Sequence, residues 1–171
     1  MNTKHILFAL AIAFLLYSAF KEADAVQSIE FQGETYELSE TYRRSGSTVY
    51  MYSPGGANYL RAGKYIQVVY LPKVEMSAEE FRRQLAETLK KGDRYKKLSE
   101  NAFFYVKANT SVHSALIQED DTFKLCAYAE IQSEEQVRNP SSVNANPAIS
   151  EEFEKTIRWL PPPPRSIQTW F

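Results

Sequence analysis

Few residues in this chain have side chains suited to covalent or metal chemistry. Histidine occurs twice, at His5 and His113, and cysteine once, at Cys126. A Cys–His couple needs both groups within hydrogen-bond reach of each other. His113 precedes the strand-like run Ser114–Gln118, and Cys126 lies within a second, Phe123–Ile131. A hairpin turning through Glu119-Asp120-Asp121-Thr122 pairs Gln118 with Phe123, Leu116 with Leu125 and Ala115 with Cys126. His113 then faces Tyr128, two residues away from the position facing Cys126, so the two read as a half-buried histidine and a buried thiol. They are also too few to ligate zinc by themselves, and no Gly-x-Ser-x-Gly elbow occurs. The sequence therefore points to no catalytic residue, no metal ligand and no cofactor.

Carboxylates crowd at Glu119-Asp120-Asp121, but without the spaced acidic loop and distal Glu that hold calcium. They read as a solvated hairpin tip. A small carboxylate-dependent hydrolase, cation-assisted, is the enzyme-class alternative. Ser53-Pro54-Gly55-Gly56-Ala57-Asn58 is glycine-rich yet lacks the Gly-Lys-Ser/Thr ending of a phosphate-cradling loop. Tyr50, Tyr52 and Tyr59 flank it, and amphipathic rings beside a flexible loop are candidate contact residues. Trp159 before four prolines, and Trp170 and Phe171 after them, are candidate anchors, because a proline spacer loses little entropy on docking and Trp is a frequent hot spot.

Charge is balanced, with 20 Lys+Arg against 21 Asp+Glu, which leaves no global field for nucleic acid. It is unevenly placed: the stretch from Arg82 to Lys97 is strongly basic, and that from Glu119 to Glu135 strongly acidic. Such a dipolar surface can orient a protein partner or anionic head groups. Asn109-Thr110-Ser111 fits the glycosylation pattern, though so short a match is weak.

Residues 1–25 run from Lys4 through the apolar Ile6–Tyr17 to Ala23-Asp24-Ala25, the order of a secretory signal peptide with Val26 as first mature residue; an uncleaved N-terminal anchor is the alternative and would keep the domain near a membrane. The expected location is exported, periplasmic or extracellular. With one cysteine, packing alone must hold the domain.

The elements that position these residues follow from periodicity. Ile29–Leu38 alternates around Gly33 as a strand or hairpin, Ser39–Ser47 reads as a polar connection, and Tyr65–Leu71 is a strong strand ended by Pro72. Ser77 and Glu80 form a capping box, and Phe81, Leu85, Thr88 and Leu89 recur on one helical face to about residue 91. A strand at 101–107 and the hairpin follow. A short second helix is expected near 151–160, then an extended proline-rich tail. The expected fold is α+β: a mainly antiparallel sheet covered by the one amphipathic helix at about 77–91. The domain spans 26–138, and 139–171 supplies linker, short helix and proline/aromatic tail. The expected function is an exported, non-enzymatic binding or accessory protein engaging another envelope or secreted protein; a structural subunit of an envelope assembly is the third alternative.

Overall fold

The computed structural model describes residues 26–44, 47–72, 76–90, 95–119, 122–138 and 143–160, and Ser28–Pro162 forms one compact unit. The leading segment 1–25, the carboxylates Asp120 and Asp121, and Trp170 and Phe171 lie outside the described residues. Strands β1 (Ser28–Phe31) and β2 (Glu34–Arg44) are joined by Gln32-Gly33, whose φ angles of 53° and 70° are the paired positive values a tight two-residue hairpin requires. β2 runs straight through the polar stretch that reads as a connection. A bulge near Ser39 resets its register, and from there Glu40 pairs with Met51 and Tyr42 with Val49 of β3 (Ser47–Pro54). Cross-strand partners hold those polar residues in a strand, which their composition alone does not announce. At Gly56, φ is +65° and an added Cβ would come within 3.1 Å of Glu37 Oε2, so the turn after β3 needs this glycine.

β4 (Lys64–Pro72) follows, then α1 (Ala78–Lys90), β5 (Tyr95–Lys97), β6 (Ala102–Lys107), β7 (Thr110–Glu119), β8 (Thr122–Ile131), α2 (Glu134–Arg138) and α3 (Pro147–Arg158). The eight strands make one sheet in the order β1-β2-β3-β4-β8-β7-β6-β5, and each pairing among the described residues is antiparallel. The β7–β8 hairpin has the register read from the sequence, with His113 opposite Tyr128 and Ala115 opposite Cys126. Ser77 caps α1 as anticipated, its Oγ accepting from the Glu80 amide at 3.1 Å.

The expected cover is corrected. The sheet is not covered by the helix at 77–91; the helix buried against it is α3. Phe81 and Leu85 are half-buried and Thr88 is exposed. α1 packs beside β5 and stacks Phe81 on Phe123 with ring centroids 5.1 Å apart. α3 instead packs on β7, β1 and β6, and Phe153, Ile157 and Leu160 on its inner face are buried. Phe153 meets Phe31 edge-on at 5.3 Å, and Phe31 meets Tyr128 at 4.9 Å. Amphipathic spacing declares that a helix has an apolar stripe; it does not say which sheet face will receive it.

Two polar contacts seat α3. Lys124 is 1% exposed, and its ammonium donates to the carbonyls of Leu160 at 2.7 Å and Ile157 at 3.3 Å, the latter shared with the Leu160 amide, so a cation sits at the carbonyl end of the helix. At the other end Asn146 caps the helix through its side chain, and its backbone amide donates to His113 Nε2 at 3.3 Å. His113 is buried against Phe104 and Tyr128, and burial pushes its pKa down to about 4.

Three outcomes follow from this arrangement. Urea denaturation should show Phe153→Ala losing about 3–5 kcal/mol, with Leu85→Ala costing well under that, reversing the order expected if α1 covered the sheet. Lys124→Met should cost about 2 kcal/mol by taking the charged donor from the Leu160 carbonyl and leaving Ile157 with its bond from the Leu160 amide, and amide exchange in the last turn of α3 should accelerate; unchanged exchange there would remove Lys124 from this role. His113 is neutral in both states above its ordinary pKa near 6.5, whereas from there down to about 4 the unfolded chain takes up the proton and the folded chain does not. Stability should therefore fall as pH falls through that window, by about 2 kcal/mol between pH 7 and 5, and thermal melts of His113→Gln should show that slope flattened.

Candidate functional site

Alternation along β8 divides its side chains between two sheet faces. Lys124, Cys126 and Tyr128 point toward α3, as their contacts and register show. Ala127 and Ala129 lie on the other face, where with Val112 they form a buried floor against which Tyr65 and Tyr105 pack. The register explains the grouping. Tyr65 pairs with Ala129, Ala129 with Val112, Val112 with Tyr105 and Tyr105 with Tyr95, one cross-strand row through β4, β8, β7, β6 and β5. The adjacent row reads Gln67, Ala127, Ser114, Phe103 and Lys97. At about 4.8 Å per strand the backbones of Tyr65 and Tyr105 stand about 14 Å apart, with small side chains between them.

Both rings lie over that floor, half-buried themselves, while Val112, Ala127 and Ala129 are 6%, 9% and 1% exposed. The aromatic surface continues on either side. Tyr59, carried by the loop after β3, meets Tyr65 edge-on at 5.4 Å, and Tyr95, Phe103 and Tyr105 stack in sequence at 6.2 and 6.4 Å. Tyr42, on the same face by its pairing with Val49, is 39% exposed. Burial raises the phenol pKa of Tyr65 and of Tyr105, the latter against the opposing pull of a hydrogen bond with Ser114. The hydroxyls thus remain protonated at neutral pH, able to donate as well as accept.

The residues singled out in the sequence are scattered by the fold. Tyr50 and Tyr52 are 8% and 2% exposed, and belong to the core beneath α3 rather than to a rim. Tyr59 does reach the surface, against Tyr65. Trp159, the C-cap of α3, is 86% exposed; Trp170 and Phe171 lie outside the described residues. Cys126 is fully buried, and His113 is engaged with Asn146. Among the described residues no group of three or more His, Cys, Asp or Glu side chains is placed to hold a metal. A cluster of titratable groups, Lys64, Glu34, Tyr36 and Tyr128, links β2 to β4 and β8: Glu34 pairs with Lys64 and accepts from the Tyr36 hydroxyl at 3.2 Å. Tyr36 is buried, and desolvation raises its phenol pKa, followed by the influence of Tyr128 and Glu34. Sequence reasoning missed Tyr65 and Tyr105, whose grouping depends on pairings between distant strands; the available signal was a tyrosine in alternation on each of two strong strands.

No family model matches the chain, and no curated protein matches it in sequence. Among solved structures it is similar to the 1.9 Å crystal structure of the Saccharomyces cerevisiae Ran-binding protein Mog1p, at 14% identity and a TM-score of 0.44, over 77% of this chain and 92% of that one. The expectation of an exported accessory protein, periplasmic or extracellular and engaging an envelope or secreted partner, is withdrawn along with its hydrolase and envelope-subunit alternatives. None of the comparisons supports an exported or envelope protein, and residues 1–25, which carried the export reading, lie outside the described residues. No described helix is long and apolar enough to cross a membrane. At that TM-score and identity, the likeness assigns this chain no function in exchange.

Proposed function

We propose that this chain is a protein-binding domain whose tyrosine-covered sheet face receives the partner. The observation that carries this reading is the row Tyr65–Ala129–Val112–Tyr105–Tyr95, in which half-exposed rings lie over small, buried side chains on the face opposite α3. Tyrosine suits such a surface: each ring offers a large, stiff contact area with only two side-chain torsions to order, and a hydroxyl that still bonds when water is excluded. Four of the five strands beneath, β4, β8, β7 and β6, are held by pairing on both sides, so little backbone ordering is left there for binding to impose.

The test uses the full chain as bait for capture from native cell extract, quantified by mass spectrometry against variants of the same chain. Tyr65→Ser removes a ring. Gln67→Arg, on the half-buried neighbouring position, adds a charge without opening a cavity and so covers the case in which the first variant loses stability. Truncating a hot spot costs at least about 2 kcal/mol, which is about 30-fold in affinity. A partner retained by wild type and by Trp159→Ser, and lost from both face variants, is the expected result. Capture that ignores both face variants, or that is lost with Trp159→Ser alone, would move the binding site off this face.

A further inference from the structure

The tyrosine face is not electrically uniform. Its two rows end at the β5 edge in Tyr95 and Lys97, and Lys107 follows Tyr105 on the same side of β6. Lys97 and Lys107 are exposed, and no carboxylate pairs with them among the described residues; Lys96, which pairs with Phe104, belongs to the opposite face. The arginines of α1 differ. Arg82 donates to Asn101 Oδ1 at 3.0 Å and meets Glu100 at 3.6 Å, while Arg83 lies between Glu80 and Glu87 at 3.5 and 3.6 Å. The uncompensated positive charge is therefore concentrated on the lysines bordering the aromatic rows. Between α1 and β5–β6 runs an open groove of about 740 Å³, lined by Tyr95, Phe103 and Lys97 on the sheet side and also by Glu79, Glu80 and Glu100, so its positive charge lies at the β5–β6 border and not along α1. Two of these rings stack on each other and continue into Tyr105, so groove and tyrosine face form one continuous surface.

We propose that the element docking here is an acidic peptide segment bearing an aromatic or aliphatic side chain, the side chain seated in the groove against Tyr95 and Phe103 and the carboxylates set toward Lys97 and Lys107 rather than toward the glutamates of α1. This rests on the reading of the tyrosine face as a protein-binding surface and names the chemistry of its partner. Charge and shape select the class together. A basic segment would meet two unpaired lysines, and like charges across an interface suppress association. A purely apolar segment would leave those lysines without a counter-charge.

Panning a display library of short random peptides on the full chain tests this, with fluorescence polarisation of the peptide most enriched. Acidic peptides containing a large apolar residue should dominate. Their affinity should fall at least tenfold for Lys97→Glu, be kept by Lys97→Arg, and weaken as salt rises from about 0.01 to 0.15 M, which shortens the screening length from about 30 to 8 Å. Enrichment of neutral or basic peptides, no enrichment over a blank surface, or an affinity unmoved by Lys97→Glu would overturn the inference. Peptides sensitive to Tyr65→Ser or Gln67→Arg but not to Lys97→Glu would leave the face as a binding surface with a different partner chemistry. Peptides indifferent to all three variants would overturn both readings.

Discussion

The ammonium of Lys124 is the contact on which most of the architecture turns. A lysine with 1% exposure must have its charge met inside the protein, because an ionised group taken from water without partners costs several kcal/mol. The carbonyls of Ile157 and Leu160 meet it at the end of the helix, Ile157 as a second bond beside the one it accepts from the Leu160 amide. Each side thus satisfies what the other cannot do without. The consequence is positional: Lys124 lies in the middle of the sheet, between Tyr70 on β4 and Ile117 on β7, so the end of α3 is fixed over the centre. The Phe31–Phe153 contact then brings the edge strand β1 against the same helix. An apolar residue at 124 would preserve burial and leave the helix end without its donor.

Local features were the legible ones. The β7–β8 register, the Ser77 cap and the turn at Gly33 each depend on residues within a few positions of one another, and alternation or cap chemistry fixes them. The role of α3 was hidden for a different reason. Its stripe of Phe153, Ile157 and Leu160 is no stronger a pattern than Phe81 and Leu85 on α1, and what distinguishes them is Lys124, more than 30 positions away in sequence from either carbonyl it holds. A lysine in the run Phe123–Ile131 looks like a solvent-facing strand residue until the helix end above it is known. Tyr50 and Tyr52 misled in the opposite direction: beside a glycine-rich loop they resemble a rim, yet their alternation places them under α3.

The two faces of the sheet are finished in different ways. One is closed by α3, whose apolar stripe removes the underlying residues from water. The other, away from the end where Phe81 stacks on Phe123, is closed by its own tyrosines. Tyr65 and Tyr105 cover Val112, Ala127 and Ala129 because the floor is made of small side chains, over which a long planar ring can lie. Bulkier residues there would hold the rings away from the sheet.

That second kind of closure has a consequence for binding. A sheet face closed by a helix has already spent its apolar contacts internally, whereas one closed by tyrosines still presents half of each ring outward on a backbone that cannot readily rearrange. Half-exposed rings leave apolar area for a partner to remove from water, at about 25 cal/mol per Å², and their hydroxyls let the same patch stay wet without one. Because Tyr95, Phe103 and Tyr105 stack in series across neighbouring strands, a contact made at the β5 edge bears on rings that are already ordered. The entropy cost of presenting an aromatic surface was met when the sheet folded.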